Sequence, residues 1–218
     1  MKQVRRLFAL CLLVAAGFGL APVLHSTASA EATSPEKAAQ FIADIGTRAL
    51  GVLADRNASA AERETRVRAL LDEGLDLAMI GKFALGRSWQ TASEAQLSEY
   101  ARLVRAYVLN TYGHRLAAYS GEGFKVTGAE PIAESDAIVI SAVERANGEP
   151  VKVGWRVRAE EGGYKVVDVV IEGISLVVTQ REEFASIVRQ KGLDGLLDAL
   201  RAQIRQFAAD GAAAPAKE

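Results

Sequence analysis

Few side chains in this sequence could perform chemistry. An enzyme needs groups that attack, transfer protons or hold a metal, yet the 218 residues include one cysteine, Cys11, and two histidines. The second histidine, His114, stands beside Tyr112 and Arg115 in a predicted long helix, where a surface or boundary position is expected. Metal sites combine several His, Cys and carboxylate ligands, and the sequence has no such cluster. We therefore predict no metal and no cofactor.

The carboxylates are the remaining candidates. The pairs Glu160-Glu161 and Glu182-Glu183 fall in a predicted turn and near a predicted helix start, which indicates solvated charge rather than an acid–base pair. Asp168 lies inside an otherwise apolar strand and needs a polar partner, and a structural hydrogen bond explains it better than catalysis. Gly121-Glu122-Gly123 lacks the further glycine and the following helix of a phosphate-binding loop. The sequence predicts no catalytic residue and hence no enzyme.

The first thirty residues have the pattern of a secretory signal. Three basic residues within the first six positions precede an apolar run, Leu7–Leu20, and Ala28-Ser29-Ala30 precedes Glu31. A basic start, an apolar stretch and a small-x-small site define a cleavable signal peptide. The run has 14 residues, fewer than the roughly 20 that span a bilayer. We predict cleavage between Ala30 and Glu31 and a periplasmic protein.

Cleavage would change the composition of the chain. The mature protein would have 188 residues, enough for one domain with a sizeable core, and no cysteine, which excludes disulfides. It would keep 23 basic and 27 acidic residues, a net charge of about −4. This charge disfavours binding to nucleic acid and electrostatic attachment to anionic membranes. We expect a soluble monomer.

Apolar residues at helical spacing predict the helices of the N-terminal half. Ser34-Pro35 has the cap and first-turn residues of a helix start. The apolar stripes of the first two helices are Phe41, Ile45, Ala49 and Leu53, then Val67, Leu70 and Leu71. Asp76 can cap a short third helix. Ser93 and Gln96 form a capping box that opens the longest helix, which ends near Ser120.

From Phe124 the apolar period changes to two, which indicates strands. Further strands are predicted at 138–143, 151–158 and 164–171, and short turns at Asn147-Gly148 and Gly162-Gly163 favour antiparallel pairing. Two closing helices, about 181–190 and 194–207, are divided at Gly192. The fold class is α+β, with helices packed around an antiparallel sheet of about four strands. The domain spans residues 31–207, and the Ala-rich segment 208–218 is predicted to be disordered.

Two of these strands are apolar on both faces. Ile138 and Ile140 alternate with Val139 in one strand, and Val166 alternates with Val167 in the last. Such strands must be covered on both sides or must border a cavity. The residues alone do not separate these alternatives, and a filled core is the commoner arrangement.

Three sequence blocks resemble the MlaC/toluene-tolerance family. They are Phe83-Ala84-Leu85-Gly86-Arg87-Ser88-Trp89, then Tyr164-Lys165-Val166-Val167-Asp168-Val169 with the following Ile171-Glu172-Gly173-Ile174-Ser175-Leu176, and Lys191-Gly192-Leu193-Asp194-Gly195-Leu196-Leu197. They occur in the family's order and spacing, and the resemblance covers residues 35–205. Ser88 departs from the pattern, since many members have an aromatic residue there.

The resemblance implies a function and partners. Members of the family are periplasmic phospholipid-binding proteins that carry lipid between an inner-membrane ABC transporter complex and an outer-membrane lipoprotein complex, which maintains outer-membrane lipid asymmetry. Their fold holds the acyl tails in an apolar cavity between helices and a strongly twisted antiparallel sheet. A hopanoid-associated branch of the family offers an alternative cargo. An enzyme on a similar helix-covered sheet and a ligand-free interaction protein with a filled core are the alternatives from other classes.

A lipid carrier needs apolar side chains around the tails. The resemblance implies that they come from the inner face of the sheet and from the helices facing it, and the expected set also includes residues of ordinary core type. The predicted lipid-binding residues are Phe83, Val104, Tyr107, Val139, Val153, Trp155, Val157, Val167, Val169 and Ile174.

Overall fold

The computed structural model describes residues 33–117, 123–144 and 148–213. The predicted signal peptide, its cleavage site at Ala30 and Glu31, and the turn residue Asn147 lie outside these ranges. Within them the helices are α1 (Pro35–Ala54), α2 (Ala60–Gly74), α3 (Leu77–Leu85), α4 (Ser88–Thr91), α5 (Glu94–Ala117) and α6 (Leu176–Ala213). The strands are β1 (Phe124–Pro131), β2 (Asp136–Val143), β3 (Val151–Glu160), β4 (Gly163–Ile171) and β5 (Ile174–Ser175).

Local capping interactions start the helices where the sequence predicts. The Ser34 hydroxyl accepts from the Lys37 amide at 3.3 Å, and Pro35 occupies the first position of α1. Ser93 donates its amide to the Gln96 side chain at 3.0 Å and accepts from the Gln96 amide at 3.2 Å, which completes the predicted capping box of α5. Each bond satisfies an amide that the first helical turn leaves unpaired.

The strands form one antiparallel sheet in the order β1-β2-β3-β4-β5. Val139 of β2 lies opposite Trp155 of β3, which lies opposite Val169 of β4, so these three side chains share one face. The α+β prediction is confirmed. The sheet has a fifth strand because a turn with Gly173 at φ +84° returns the two residues of β5 alongside β4.

The last helical segment begins earlier than predicted because Asp168 caps it. The Asp168 carboxylate accepts from the Ser175 hydroxyl at 2.6 Å and from the Val177 amide at 3.2 Å, so its predicted structural hydrogen bond is confirmed. The helix changes direction at Gly192, where φ is +70°, as the predicted division requires. It continues to Ala213, within the segment 208–218 for which disorder is predicted, and residues 214–218 lie outside the described part.

Two apolar clusters connect the elements. One lies between α3, α5 and α6 and contains the fully buried Tyr100 and Leu196. The other lies between α1 and the inner face of the sheet. Leu75 packs against both clusters, and the next residue, Asp76, donates its amide to the Val166 carbonyl of β4 at 2.9 Å. The α2–α3 junction therefore fixes the helices to the sheet edge.

A buried carboxylate joins β2 and β3 at the end of the sheet. Asp136 is 1% exposed and accepts from the Arg156 Nε at 2.9 Å and from the Arg158 Nε at 2.5 Å. Arg158 first, and then Arg156, hold the pKa of Asp136 below its usual range, although burial opposes them. A carboxylate removed from water needs such charge-assisted bonds.

We predict that Asp136→Asn lowers the free energy of unfolding by about 2–3 kcal/mol, because it leaves two cations beside a buried neutral group. The lowered pKa adds a pH dependence: this stabilisation is present above about pH 4 and is lost as pH falls through the folded-state value. The variant should therefore lose less stability than the original protein between about pH 4 and pH 2, as measured by urea unfolding.

Asp198→Asn is the matched control for this prediction. Asp198 also bonds an arginine, Arg201, but its side chain is 74% exposed. We expect a change of less than about 0.5 kcal/mol, as for surface ion pairs. Equal effects of the two substitutions would contradict a special role for the buried carboxylate.

Candidate functional site

A cavity of about 190 Å³ lies between α1, α2 and the inner face of the sheet. The 17 described residues that line it are apolar or glycine: Ile42, Ile45, Gly46, Ala49, Leu50, Leu53, Val67, Leu70, Leu71, Gly74, Leu75, Leu116, Gly123, Phe124, Val143, Trp155 and Val166. None of these described residues has an ionisable side chain. The lining can exclude water from an apolar ligand, and it offers no group for acid–base chemistry.

The two N-terminal helices supply more than half of this lining. Ile45, Ala49 and Leu53 recur every four residues along α1, and Leu70 and Leu71 lie on the facing side of α2. Residues at this spacing share one face of a helix. The apolar stripes that the sequence predicts for these helices therefore face each other and the sheet across the cavity.

Two aromatic rings form the sheet side of the cavity. Phe124 and Trp155 meet edge to face, with ring centroids 6.2 Å apart and an angle of 70° between their planes, a geometry that aromatic pairs favour. The Trp155 indole nitrogen donates to the Ser141 hydroxyl at 2.8 Å. Because Ser141 is 1% exposed and satisfies this donor, the indole presents no unpaired polar group to the cavity.

Small residues allow close packing of the elements around the cavity. A Cβ atom at Gly46 of α1 would lie 2.4 Å from the Phe124 ring, and one at Gly74 of α2 would lie 2.7 Å from the Ile45 Cδ1. Real Cβ contacts are longer than this. Glycine at these two positions therefore sets how closely α1 approaches β1 and α2.

The exposure of the lining residues differs along the cavity. Ile42, near the start of α1, is 2% exposed, whereas Leu116, at the end of α5, is 42% exposed. The half-buried lining residues Leu50 and Leu53 lie toward the end of α1.

Ion pairs lie outside the cavity, on the surface formed by α1 and α2. The Arg48 guanidinium bonds both oxygens of Glu73, at 2.5 and 2.6 Å, and Arg66 bonds Asp55 at 2.9 Å. Arg48 lowers the pKa of Glu73. Both pairs join residues of α1 or its C-cap to α2, so they hold these helices together above the apolar lining.

Comparison with known proteins agrees with this arrangement. The sequence model described as "MlaC protein" matches residues 44–202, most of the chain. The chain belongs to the MlaC family. The fold is also similar to the crystal structure of the phospholipid-binding protein from Ralstonia solanacearum in complex with a phospholipid, with a TM-score of 0.66 and 25% sequence identity. The match covers 79% of this chain and 99% of the Ralstonia protein.

The side chains considered for catalysis have other surroundings in this MlaC-family protein. Asp168 caps α6, and the His114 side chain is 61% exposed with its Nδ1 3.5 Å from Glu64. In the described part of the chain, no three His, Cys, Asp or Glu side chains are grouped so that they could hold a metal ion. The described helices also include none long and apolar enough to cross a membrane.

The ten predicted lipid-binding residues are distributed over several environments. Trp155 lines the cavity. Val139 and Val157 are fully buried in the cluster beneath α1, and Val169 packs against the same cluster. Val153 belongs to the same sheet face and is 6% exposed. These five residues form or adjoin the inner face of the sheet, and their contact with lipid stays a prediction.

The other five predicted residues lie away from the cavity wall. Val104 and Tyr107 pack in the cluster between α5 and α6, and Val167 is buried in β4. Phe83 and Ile174 are 43% and 62% exposed. Sequence reasoning assigned the lining to the sheet, α3 and α5 and did not include α1 and α2, although their apolar stripes were visible in the sequence.

We predict that Gly46→Ala lowers the free energy of unfolding by about 1–3 kcal/mol, as overpacking of a tight contact does. The added methyl would overlap the Phe124 ring unless α1 or the ring shifts. Gly51→Ala in the same helix is the control, since nothing lies within 4 Å of its Cβ position. It should raise stability by about 0.5–1 kcal/mol through helix propensity. Thermal and urea unfolding of both variants measure the difference, and equal stabilisation by both would contradict the close contact.

Proposed function

We propose that this protein binds phospholipid in the apolar cavity and carries it through the periplasm. The observation that supports this proposal is the lining itself: the described residues around the cavity are all apolar or glycine, and one of them, Leu116, is 42% exposed. The similar Ralstonia solanacearum protein is described in complex with a phospholipid, which favours this cargo over a hopanoid-related lipid. The protein would act by binding rather than by catalysis.

The energetics of lipid in water explain why a carrier is needed. A diacyl phospholipid has roughly 30 methylene groups, and each costs about 0.8 kcal/mol in water, so a cost on the order of 20 kcal/mol opposes free passage between membranes. A protein that surrounds the tails removes most of this cost and can leave the headgroup in water. Neither step requires a metal or a catalytic group.

The size of the cavity indicates that loading changes its shape. Ligand sites usually have volumes of about 300–1,000 Å³, whereas this cavity measures about 190 Å³. An apolar cavity of about 150 Å³ holds a molecule the size of benzene. Two acyl chains therefore require the cavity to enlarge.

The route of transport belongs to the proposal as well. The N-terminal signal pattern directs the chain to the periplasm, the aqueous space between two membranes that a lipid cannot cross unaided. As in the family it belongs to, we infer that the protein exchanges lipid with an inner-membrane ABC transporter complex and an outer-membrane lipoprotein complex. This exchange would maintain outer-membrane lipid asymmetry.

We predict that Leu50→Glu lowers the amount of bound phospholipid at least tenfold. Leu50 lines the cavity from α1, and a carboxylate there must lose its water when acyl tails arrive, which costs several kcal/mol. A tenfold loss corresponds to about 1.4 kcal/mol. This is less than the cost of removing water from the carboxylate, so tenfold is the smallest loss expected. The measurement is native mass spectrometry of protein purified from its host, followed by extraction and identification of the lipid.

Thr47→Glu is the matched control, because Thr47 is an exposed residue of the same helix. This variant should keep its lipid, and Leu50→Met should also keep it. Original protein that carries no lipid after purification from its host would refute the proposal. Equal lipid content in Leu50→Glu and Thr47→Glu would show that lipid binds elsewhere, and extracted hopanoids would replace phospholipid as the cargo.

Transport can be separated from binding by a vesicle assay. Donor vesicles that contain a fluorescent phospholipid are mixed with acceptor vesicles, and the rate of transfer is followed with increasing protein concentration. We expect the rate to rise in proportion to the original protein and to stay near the protein-free rate with Leu50→Glu, because that variant cannot hold the tails. Protein that binds lipid but leaves the transfer rate unchanged would be a lipid-storage protein rather than a carrier.

A further inference from the structure

A groove separate from the cavity runs along the exposed side of α6. It consists of two adjoining depressions of about 530 and 340 Å³, which share Arg181, Ala185 and Arg189. Val178 lies in the first depression, and Arg87, in the turn between α3 and α4, lies in the second. We call this surface the α6 groove.

The arginines of the α6 groove have no carboxylate partner. In the described part of the chain, Arg87, Arg181 and Arg189 form no ion pair, whereas Arg48, Arg66 and Arg105 on other surfaces each bond a Glu or Asp side chain. Three guanidinium groups around one concavity repel one another unless an anion lies between them. The groove contains one acidic residue, Glu182, beside Val178, so an excess of positive charge remains.

The local structure fixes the position of Arg181. Its guanidinium lies over the Phe83 ring, 5.0 Å from the ring centroid, and the stacking leaves the N–H groups free to donate at the edge of the plane. Gly86, with φ +60°, lies against it, because a Cβ there would be 3.2 Å from the Arg181 Nε. A side chain at position 86 would be strained by the positive φ and would require Arg181 to shift by a few tenths of an ångström.

Exposed apolar side chains accompany these cations. Val178 is 44% exposed in the groove, and Phe83, which carries the stacked guanidinium, is 43% exposed. Single exposed apolar residues are common, but arginine and aromatic residues together are enriched at protein interfaces. Phe83 was predicted to bind lipid, and in the structure its ring contacts the Arg181 guanidinium.

We propose that the α6 groove docks an acidic segment of a partner protein, with carboxylates meeting the three arginines and an apolar side chain meeting Val178. The occupant is a protein segment rather than a membrane surface, because the surface is concave, whereas membrane-binding surfaces insert protruding apolar groups.

The test places a photo-crosslinking residue, p-benzoylphenylalanine, at position 178 of the full chain in its host. We expect a crosslinked protein whose mapped peptide is rich in Asp and Glu. The double variant R181E/R189E should lower the yield of this product at least about fivefold, because it reverses charges that face the partner. R181K/R189K should retain it. The same residue at Gln203, exposed farther along α6, is the control site and should give no such product.

Several results would overturn the proposal: no protein product at position 178, a product with lipid alone, a product with a second copy of this chain, a mapped peptide without acidic residues, or a yield that R181E/R189E leaves unchanged. Arginine-dependent flotation with phosphatidylglycerol vesicles would likewise assign the groove to a membrane. The lipid content of R181E/R189E, measured on the purified protein, should equal that of the original chain. Unchanged lipid content would show that the arginines act in docking and not in lipid binding. The two proposals can therefore fail independently of each other.

Discussion

The inner face of the sheet determines the rest of the structure, because its apolar side chains must be removed from water and the helices cover them unequally. Near the start of α1, Ala38 and Ile42 are buried in one cluster with Val139 and Val157 of the sheet. Toward its C-terminus, α1 covers the sheet together with α2, and a cavity remains between these two helices and the sheet. The cavity is the part of this face that the helices shield from water without filling.

Different kinds of contact hold α1 and α2 in place over the sheet. At the sheet edge, backbone bonding between Asp76 and Val166 and the packing of Leu75 against both clusters fix the α2–α3 junction. On their outer surface, α1 and α2 are joined by half-exposed ion pairs such as Arg48–Glu73. Such pairs contribute little to stability in water. The Arg105–Asp72 ion pair joins α2 to α5 as well, so this layer is connected to the α5–α6 cluster.

Local signals in the sequence predict most of the fold. The capping box at Ser93, the change of period at Phe124 and the break at Gly192 depend on nearby residues, so they can be identified without the tertiary structure. The lining could not be predicted in the same way. An apolar stripe such as Ile45 and Ala49 shows that a helix buries a face, but it does not show what lies opposite. Pairing register and helix placement, which involve distant parts of the chain, decide that.

Exposed apolar residues are a second reason why the cavity lining could not be predicted from the sequence. Phe83 and Ile174 have apolar side chains, as lipid-contacting residues do, and hydrophobicity alone cannot separate a cavity wall from an outer surface. The neighbouring charges separate them: the described residues of the cavity lining include no ionisable side chain, whereas the Arg181 guanidinium lies over the Phe83 ring. The two surfaces also lie on different helices, because α1 and α2 supply most of the described lining and α6 supplies most of the groove.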